Sequence, residues 1–336
     1  MYNNEDTTEK KWSMKDFNYP VPAHAKKFGY AVGGVTFVGF ILLIITGIVM
    51  TFFFTATVNK ARDSVLELSS TPWGLWLRSF HRWLAETVVF LIILHLTRIV
   101  FTGSYRGSRK TNWFFGIGLL VIALSFLFSG TVVKWDQEGY EAYRHAVEQV
   151  DLLPVIGAPI SAFLQATSVV MTMFVTHTLV LPLLFLLLLI PHLVLMKLNG
   201  LSPLPGKKIT KEIKLSTHIG KIFGWSFIIY GLISFLAMQF PAVLYPGPYT
   251  GIEMTKPPWI FLVLYQFENW FGVKYLSVFP LLMIVGLILI PYFDSKKDDY
   301  SVTRKIVVWS YIIIMAIFIT FMIHIAISPP VKHLGG

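Results

Sequence analysis

The chain has 336 residues, 55% of them hydrophobic and only 14% charged, with a mean hydropathy of +0.64; an ordinary soluble domain is excluded and an integral membrane protein implied. The net charge of +10 reads as a membrane-topology signal, with some attraction to anionic lipid, and not as a nucleic-acid surface. Without any cysteine, the chain alone can form neither a disulfide nor a thiolate-held metal cluster.

The first 27 residues are polar, carrying Lys10, Lys11, Lys15, Lys26 and Lys27 against Glu5, Asp6, Glu9 and Asp16. They contain no short apolar core, so no cleavable signal peptide is expected. Seven apolar runs follow, at about Tyr30 to Phe54, Leu77 to Thr102, Trp113 to Val133, Val169 to Met196, Ile222 to Phe240, Tyr275 to Phe293 and Ile306 to Ile327. Each is close to the ~20 residues that cross a hydrocarbon core, so the expected fold is an all-α integral membrane protein with seven transmembrane helices. Trp73, Trp76, Trp113, Tyr245 and Tyr292 stand near span ends, where aromatic rings anchor at the headgroups.

Between spans two and three lie Arg106, Arg109 and Lys110 with no acid, and between four and five Lys207, Lys208, Lys211 and Lys214 with only Glu212. Basic residues near span ends are retained in the cytoplasm, so these loops and the N-terminus are expected there. The connection from Lys134 to Ala166 has Asp136, Glu138, Glu141, Glu148 and Asp151 against Lys134 and Arg144. It is expected outside, as is the C-terminus.

Spans two and four each carry two histidines, His81 with His95 and His177 with His192, 14 and 15 residues apart. On helices rising ~1.5 Å per residue each pair covers roughly 21 to 23 Å and faces nearly one side. Both helices run inward from the external face, so His81 is expected opposite His177 near that face and His95 opposite His192 near the cytoplasmic one. One intramembrane histidine is readily an interhelical hydrogen bond or a step in a proton path. Four at matched depths point to two bis-imidazole haem centres, suited to electron transfer.

Gly33 and Gly47 in span one, and Gly116 and Gly130 in span three, repeat the 14-residue step. A residue without Cβ lets a flat macrocycle approach the backbone; Gly34, Gly39 and Gly118 read equally well as small packing residues. Arg78 and Arg82 flank His81 and Arg98 follows His95, positions suited to propionate pairing or to snorkelling. His24, His218, His324 and His333 lie near span ends or outside the paired frame and read as interfacial or proton-path residues.

The stretch from Tyr30 to Pro205 resembles cytochrome b of the bc/bf quinol-oxidising complexes, in the short four-helix plastid form. The resemblance is carried by Gly33-Gly34-Val35-Thr36, Arg78-Ser79-Phe80-His81-Arg82-Trp83, His95-Leu96-Thr97-Arg98, Trp135-Asp136-Gln137-Glu138-Gly139-Tyr140, Pro154-Val155-Ile156-Gly157-Ala158-Pro159 and His177-Thr178-Leu179-Val180-Leu181-Pro182. From about Lys208 onward the chain is similar to that family's three-helix companion subunit, mainly through Lys256-Pro257-Pro258-Trp259. The resemblance implies a four-helix diheme domain over residues 1–205 and a three-helix, subunit-IV-like domain over residues 206–336.

It further implies two noncovalent b-type haems, an outer one on His81 and His177 and an inner one on His95 and His192, with Gly33, Gly47, Gly116, Gly130, Arg78, Arg82 and Arg98 around them. An outer quinol pocket would involve Gly139, the Pro154 to Pro159 segment and the Pro257 to Trp259 segment, including Pro258. An inner quinone site would lie by the N-terminal segment, the start of span one and the region from Lys197 to His218. Implied partners are a Rieske-type iron–sulfur protein, a c-type cytochrome or other redox subunits, in a homodimeric complex of a bacterial cytoplasmic or specialised energy-transducing membrane.

Three departures accompany the match. Where the family reads Pro-Glu-Trp-Tyr, this chain has Pro257-Pro258-Trp259-Ile260, so the carboxylate expected to take a quinol proton is missing; Glu253, Glu268, Glu138 and His145 are candidate substitutes. Lys134 replaces a proline before Trp135-Asp136, and Ala31 replaces the cysteine that tethers an extra haem, leaving any third haem there without a thioether. Two functions follow: a subunit of a quinol–cytochrome c reductase-like oxidoreductase that bifurcates electrons at the outer site, or a diheme conduit between partner subunits and a single quinone site. A haem-free transporter is the reading outside this class, and a Soret band separates it from both.

Overall fold

The computed structural model describes residues 19–152, 155, 157–166, 168–202, 211–250, 254–272, 275–295 and 301–328. The first element is a three-residue strand β1 (Pro20–Pro22), which pairs antiparallel with β2 (Glu212–Lys214). Helix α1 (Phe28–Thr51) leads to a short helix α2 (Ala61–Ser69) and then to α3 (Pro72–Thr102). The sequence-based start of span two is five residues late, because an apolar window misses the first turns. There Pro72 sits at N1 and the Thr71 hydroxyl accepts from the Gly74 amide at 3.3 Å, a capped start that projects beyond the hydrocarbon.

Helix α4 (Lys110–Val133) runs back, and the shorter helices α5 (Gln137–Asp151) and α6 (Gly157–Ala166) follow. The fourth crossing, Val169–Asn199, is composite: α7 (Val169–Val175), a π turn (Thr176–Val180) and α8 (Leu181–Asn199). Then come α9 (Leu215–Gln239), a short α10 (Leu262–Phe271), α11 (Val278–Phe293) and α12 (Val302–Ile327). Among the described residues six helices are long and apolar enough to cross a membrane, which makes this an integral membrane protein. Seven crossings were expected. The sixth expected run shortens to the 16 residues of α11, about 24 Å long, because Tyr275 to Ser277 form a 3-10 residue and a turn that do not continue as α-helix.

The core joins α1, α3, α4, α8 and α9 through Val35, Phe40, Leu84, Val88, Ala123, Phe185, Leu189 and Tyr230. Helix α9 docks so closely on α1 that the Tyr230 hydroxyl donates to the Val35 carbonyl at 2.6 Å. A Cβ on Gly34 would collide with Ile222, and one on Gly39 with Tyr230. These two glycines, with Gly118 against Leu188, are small packing residues of the kind membrane helix interfaces use.

Near the α3–α4 loop, α11 and α12 dock on α3 and α4 through Val100, Tyr105, Trp113, Leu287 and Tyr311. Buried Asp294 there accepts from the Tyr105 hydroxyl at 2.5 Å and pairs with Arg304 at 3.3 Å.

Candidate functional site

Helix α3 carries His81 and His95 on one face, and the composite fourth crossing carries His177 and His192. The π turn at Thr176–Val180 contains His177 and one residue more than an α-turn. It absorbs the difference between a 15-residue and a 14-residue step, so both helices present their imidazoles in matching register. Pro182 helps to open the turn, having no N–H to give and a ring that crowds the carbonyl four residues back, that of Thr178. His81 stands within electrostatic reach of His177, and His95 of His192, the two pairings expected.

Hydrogen bonds decide which ring nitrogen carries the proton. Thr46 donates its hydroxyl hydrogen to the Leu42 carbonyl at 2.8 Å, so its oxygen receives Nδ1–H of His81, also at 2.8 Å. Ser129 repeats the device, donating to the Ser125 carbonyl at 2.7 Å and accepting from His177 Nδ1 at 2.9 Å. His192 Nδ1 donates to the Asn112 carbonyl at 3.2 Å. In three of the four rings the neutral imidazole therefore carries its proton on Nδ1 and keeps its lone pair on Nε2, the form in which imidazole ligates a metal. The Nδ1 of His95 is buried with no hydrogen-bond partner among the described residues.

The expected glycines stand against the imidazoles themselves. An added Cβ would lie 2.9 Å from His95 at Gly33, 3.4 Å from His81 at Gly47, 3.5 Å from His192 at Gly116 and 2.9 Å from His177 at Gly130. Each histidine therefore has its own glycine on the neighbouring helix, and what the missing Cβ admits first is the ring that would hold a macrocycle. Thr46-Gly47 and Ser129-Gly130 are the same hydroxyl–glycine dipeptide on two helices. Their spacing within two different spans is the sequence signal of these hydroxyl partners.

A cavity of about 440 Å³ lies between the outer pair, lined by Gly47, His81, Gly130 and His177 and also by Arg78, Arg82, Lys134, Glu138, Pro257, Pro258 and Trp259. The space for a bis-imidazole haem and the expected quinol pocket are thus continuous, and the donor set fits a haem. Ala31 is different: it has no accessible surface, so a third haem against its methyl does not fit this packing.

Of the residues expected in the outer pocket, Pro258 and Trp259 line the cavity, whereas Gly139 and Pro159 do not. Gly139 is packed against the end of α4, where an added Cβ would meet the Thr131 carbonyl, and Pro159 is exposed on α6. Pro154 falls outside the described residues. The wall is built instead by the corner between α4 and α5. Trp135 takes φ 49°, a left-handed conformation rare for a bulky side chain, and this reversal gathers Lys134, Asp136 and Glu138. Asp136 is fully buried, accepting from the Gly139 and Tyr245 amides at 3.0 and 2.9 Å and from Lys134 at 2.8 Å. Glu141 accepts from the Met254 and Thr255 amides at 2.8 and 3.1 Å, pinning the segment that leads into Lys256–Trp259.

Glu138 pairs with Lys134 and, at 3.3 Å, with Arg82. Burial opposes its ionisation, but those two cations outweigh it and hold the carboxyl below the usual range. Tyr245 is pushed up by burial and by neighbouring Glu138 and Asp136. Arg78 is held by Ser69 at 2.8 Å and by the Ala242 carbonyl.

Around the expected inner site, Arg98 reaches Ser202 at 2.9 Å and lies 3.9 Å above the Tyr30 ring. His24 contacts the Ser202 carbonyl at 2.9 Å, and burial lowers its pKa. His218 donates to the Ala25 carbonyl at 2.9 Å. Lys207 and Lys208 fall outside the described residues.

Residues 17–200 match the family described as Cytochrome b/b6/petB. Cytochrome b6 of Mesostigma viride is 35% identical over 188 residues, spanning 54% of this chain and 87% of that protein. A solved chain titled "Hyperthermophilic respiratory Complex III" superposes with a TM-score of 0.79 at 21% identity, covering 93% of this chain and 87% of the other. That last likeness is one of fold.

Proposed function

This chain belongs to the cytochrome b/b6 family, and on that premise we propose that it is the membrane subunit of a quinol-oxidising complex, linking an outer quinol pocket to an inner quinone site through two noncovalent b-type haems. The supporting observation is the set of bare Nε2 lone pairs that hydrogen bonding leaves on His81, His177 and His192. His81 and His177 would hold the outer iron, His95 and His192 the inner, with Arg78, Arg82 and Arg98 disposed toward propionates. When bound, the haems supply reversible one-electron chemistry.

The chain's own part is positional. Thr46, Ser129 and the Asn112 carbonyl fix ring rotation and tautomer. The corner at Trp135 places Lys134 and Glu138, and the segment pinned by Glu141 places Pro257 to Trp259, along the wall of the outer cavity. Residues 1–205 serve as the diheme domain and residues 206–336 as a subunit-IV-like domain that completes the outer pocket with Pro258 and Trp259. The α11 segment is the seventh crossing, with the N-terminus cytoplasmic and the C-terminus external. An iron–sulfur or c-type cytochrome subunit takes the high-potential electron, and the complex is a homodimer.

A second reading rests on Pro258, which can neither take a proton nor carry one. Under it the outer site no longer oxidises quinol and the chain is a conduit from partner subunits to one quinone site. One experiment separates the two. In the purified complex, with the inner site inhibited and an oxidised high-potential acceptor added, quinol should reduce haem b; if intact haems stay oxidised, the conduit reading replaces the first. For the ligands, H81A and H177A should each lose the outer haem alone and H95A and H192A the inner alone. Full haem content in all four variants would overturn the assignment.

A further inference from the structure

The outer cavity holds a carboxylate that the sequence motifs do not mark. Glu86 lies on α3 one turn inward of Arg82 and lines the same cavity as Pro258 and Trp259. Its Oε1 accepts from Arg82 Nε at 2.7 Å, and 22% of its side chain remains accessible. One turn further, the Phe90 ring stands 6.5 Å from that of Trp259 in an edge-on contact. Arg82, Glu86 and Phe90 form a single i, i+4 stripe turned toward the Lys256–Trp259 segment. Glu86 is thus presented from the wall opposite the one that lost its glutamate.

The other candidates are committed or elsewhere. Glu138 has one oxygen on Arg82 and the other on Lys134, and those cations keep its pKa low, which makes it a weak base. Glu268 pairs with His145 at 3.4 Å, and neither lines the cavity. Glu253 lies outside the described residues.

We propose that Glu86 is the catalytic proton acceptor of the outer pocket; the proposal rests on the reading of this pocket as quinol-oxidising. In the step, the quinol O–H bond breaks and its proton forms an O–H bond on the Glu86 carboxylate. The bonding pair stays on the quinol oxygen, leaving a monoanion. Glu86 then releases this proton through the cavity and takes the second hydroxyl proton as the monoanion gives up its two electrons, one to a high-potential iron–sulfur or c-type subunit and one to what the histidine pairs would hold, leaving quinone. Arg82, permanently cationic, anchors the carboxylate from one side and leaves the other to the substrate.

The test uses the purified complex with the inner site inhibited, following haem b reduction by quinol after addition of a high-potential oxidant, across pH. We expect E86Q to slow this reduction about a hundredfold, within the range for loss of a general base, with an unchanged Soret band and unchanged outer-site inhibitor affinity. We expect E86H to keep activity and to move the acid limb of the profile toward ~6.5, the unperturbed imidazole value. A mere counter-ion role for Glu86 would move neither. If wild type reduces its haem while E86Q stays within about threefold of it with the same pH profile, Glu86 is not the acceptor although the pocket still oxidises quinol. If wild type itself shows no oxidant-induced reduction while its haems accept electrons from the inner side, the quinol-oxidising reading falls and this inference with it. Should E86Q fail to assemble, the E86H profile and that of E86D carry the same decision.

Discussion

At the scale of single residues, two hydroxyls set the chemistry of two rings. Thr46 and Ser129 each give their hydrogen to their own helix and offer the oxygen to an Nδ1–H across the interface. Loss of such a partner costs about 10- to 100-fold in metal-site affinity. Accordingly, T46V or S129A should weaken retention of the outer haem by about tenfold in a haem-transfer assay, with the inner haem's band unchanged. Glu138 gives a pH-dependent prediction. Lys134 and Arg82 depress its carboxyl in the folded protein below the unfolded ~4.3, so its contribution to stability is present above ~4.3 and is lost as pH falls through the lower folded value. Removing the acid takes one of two carboxylates from Lys134, which keeps Asp136 at 2.8 Å, and one of two from Arg82, which keeps Glu86 at 2.7 Å, so the loss is about 1 kcal/mol. Thermal unfolding of E138Q in detergent should fall modestly below wild type at pH 7, and the two curves should converge under acid. The four paired histidines were legible because imidazoles are scarce in apolar runs. The hydroxyls were not, because intramembrane Ser and Thr ordinarily bond their own backbone, as these two also do. Glu86 was hidden for a related reason: beside Arg82 at i, i+4 it reads as a helical ion pair.

Within elements, the fourth crossing shows how local geometry corrects a count. A 15-residue step would leave His192 rotated by ~100° from the frame of α3 if the helix were regular; the π turn around His177 takes up that residue. Deleting Leu179, inside the turn, should therefore yield an α-helix that still binds both haems. Deleting Leu187, a lipid-facing residue of α8, should leave only the outer one. Haem-to-protein ratio and the two low-temperature α-bands check this directly. The extra residue was countable in the sequence, but its place was not, since apolar composition is uniform through Leu179 to Leu189 apart from Pro182. The same uniformity explains why the sixth run looked longer than α11 proves to be: hydropathy does not separate a turn at Tyr275 from the helix that follows.

For the molecule as a whole, two kinds of attachment hold the C-terminal helices. One is apolar, α9 against α1 and α3, and α11 and α12 against α3 and α4. The other is ionic, joining buried Asp294 and Arg304 to Tyr105 of the α3–α4 loop. Removing one member of such a pair leaves an uncompensated buried charge, so R304M should cost about 3 to 5 kcal/mol, and the double variant R304M/D294N markedly less; unfolding in micelles measures both. Neither attachment follows from periodicity. Composition reveals that α9 is apolar, but only shape shows that Gly34 and Gly39 are the notches into which Ile222 and Tyr230 settle.

The small β1–β2 clip carries a further meaning. It ties the stretch before α1 to the stretch before α9, so the two helices that pack together also start from one shared anchor. A nick between Ser202 and Lys211 would leave Pro20–Pro22 paired with Glu212–Lys214 and α9 seated in its notches. Covalent continuity at that point guarantees equal copy number of the two portions, while their recognition of one another is written on surfaces that would survive being made as separate polypeptides.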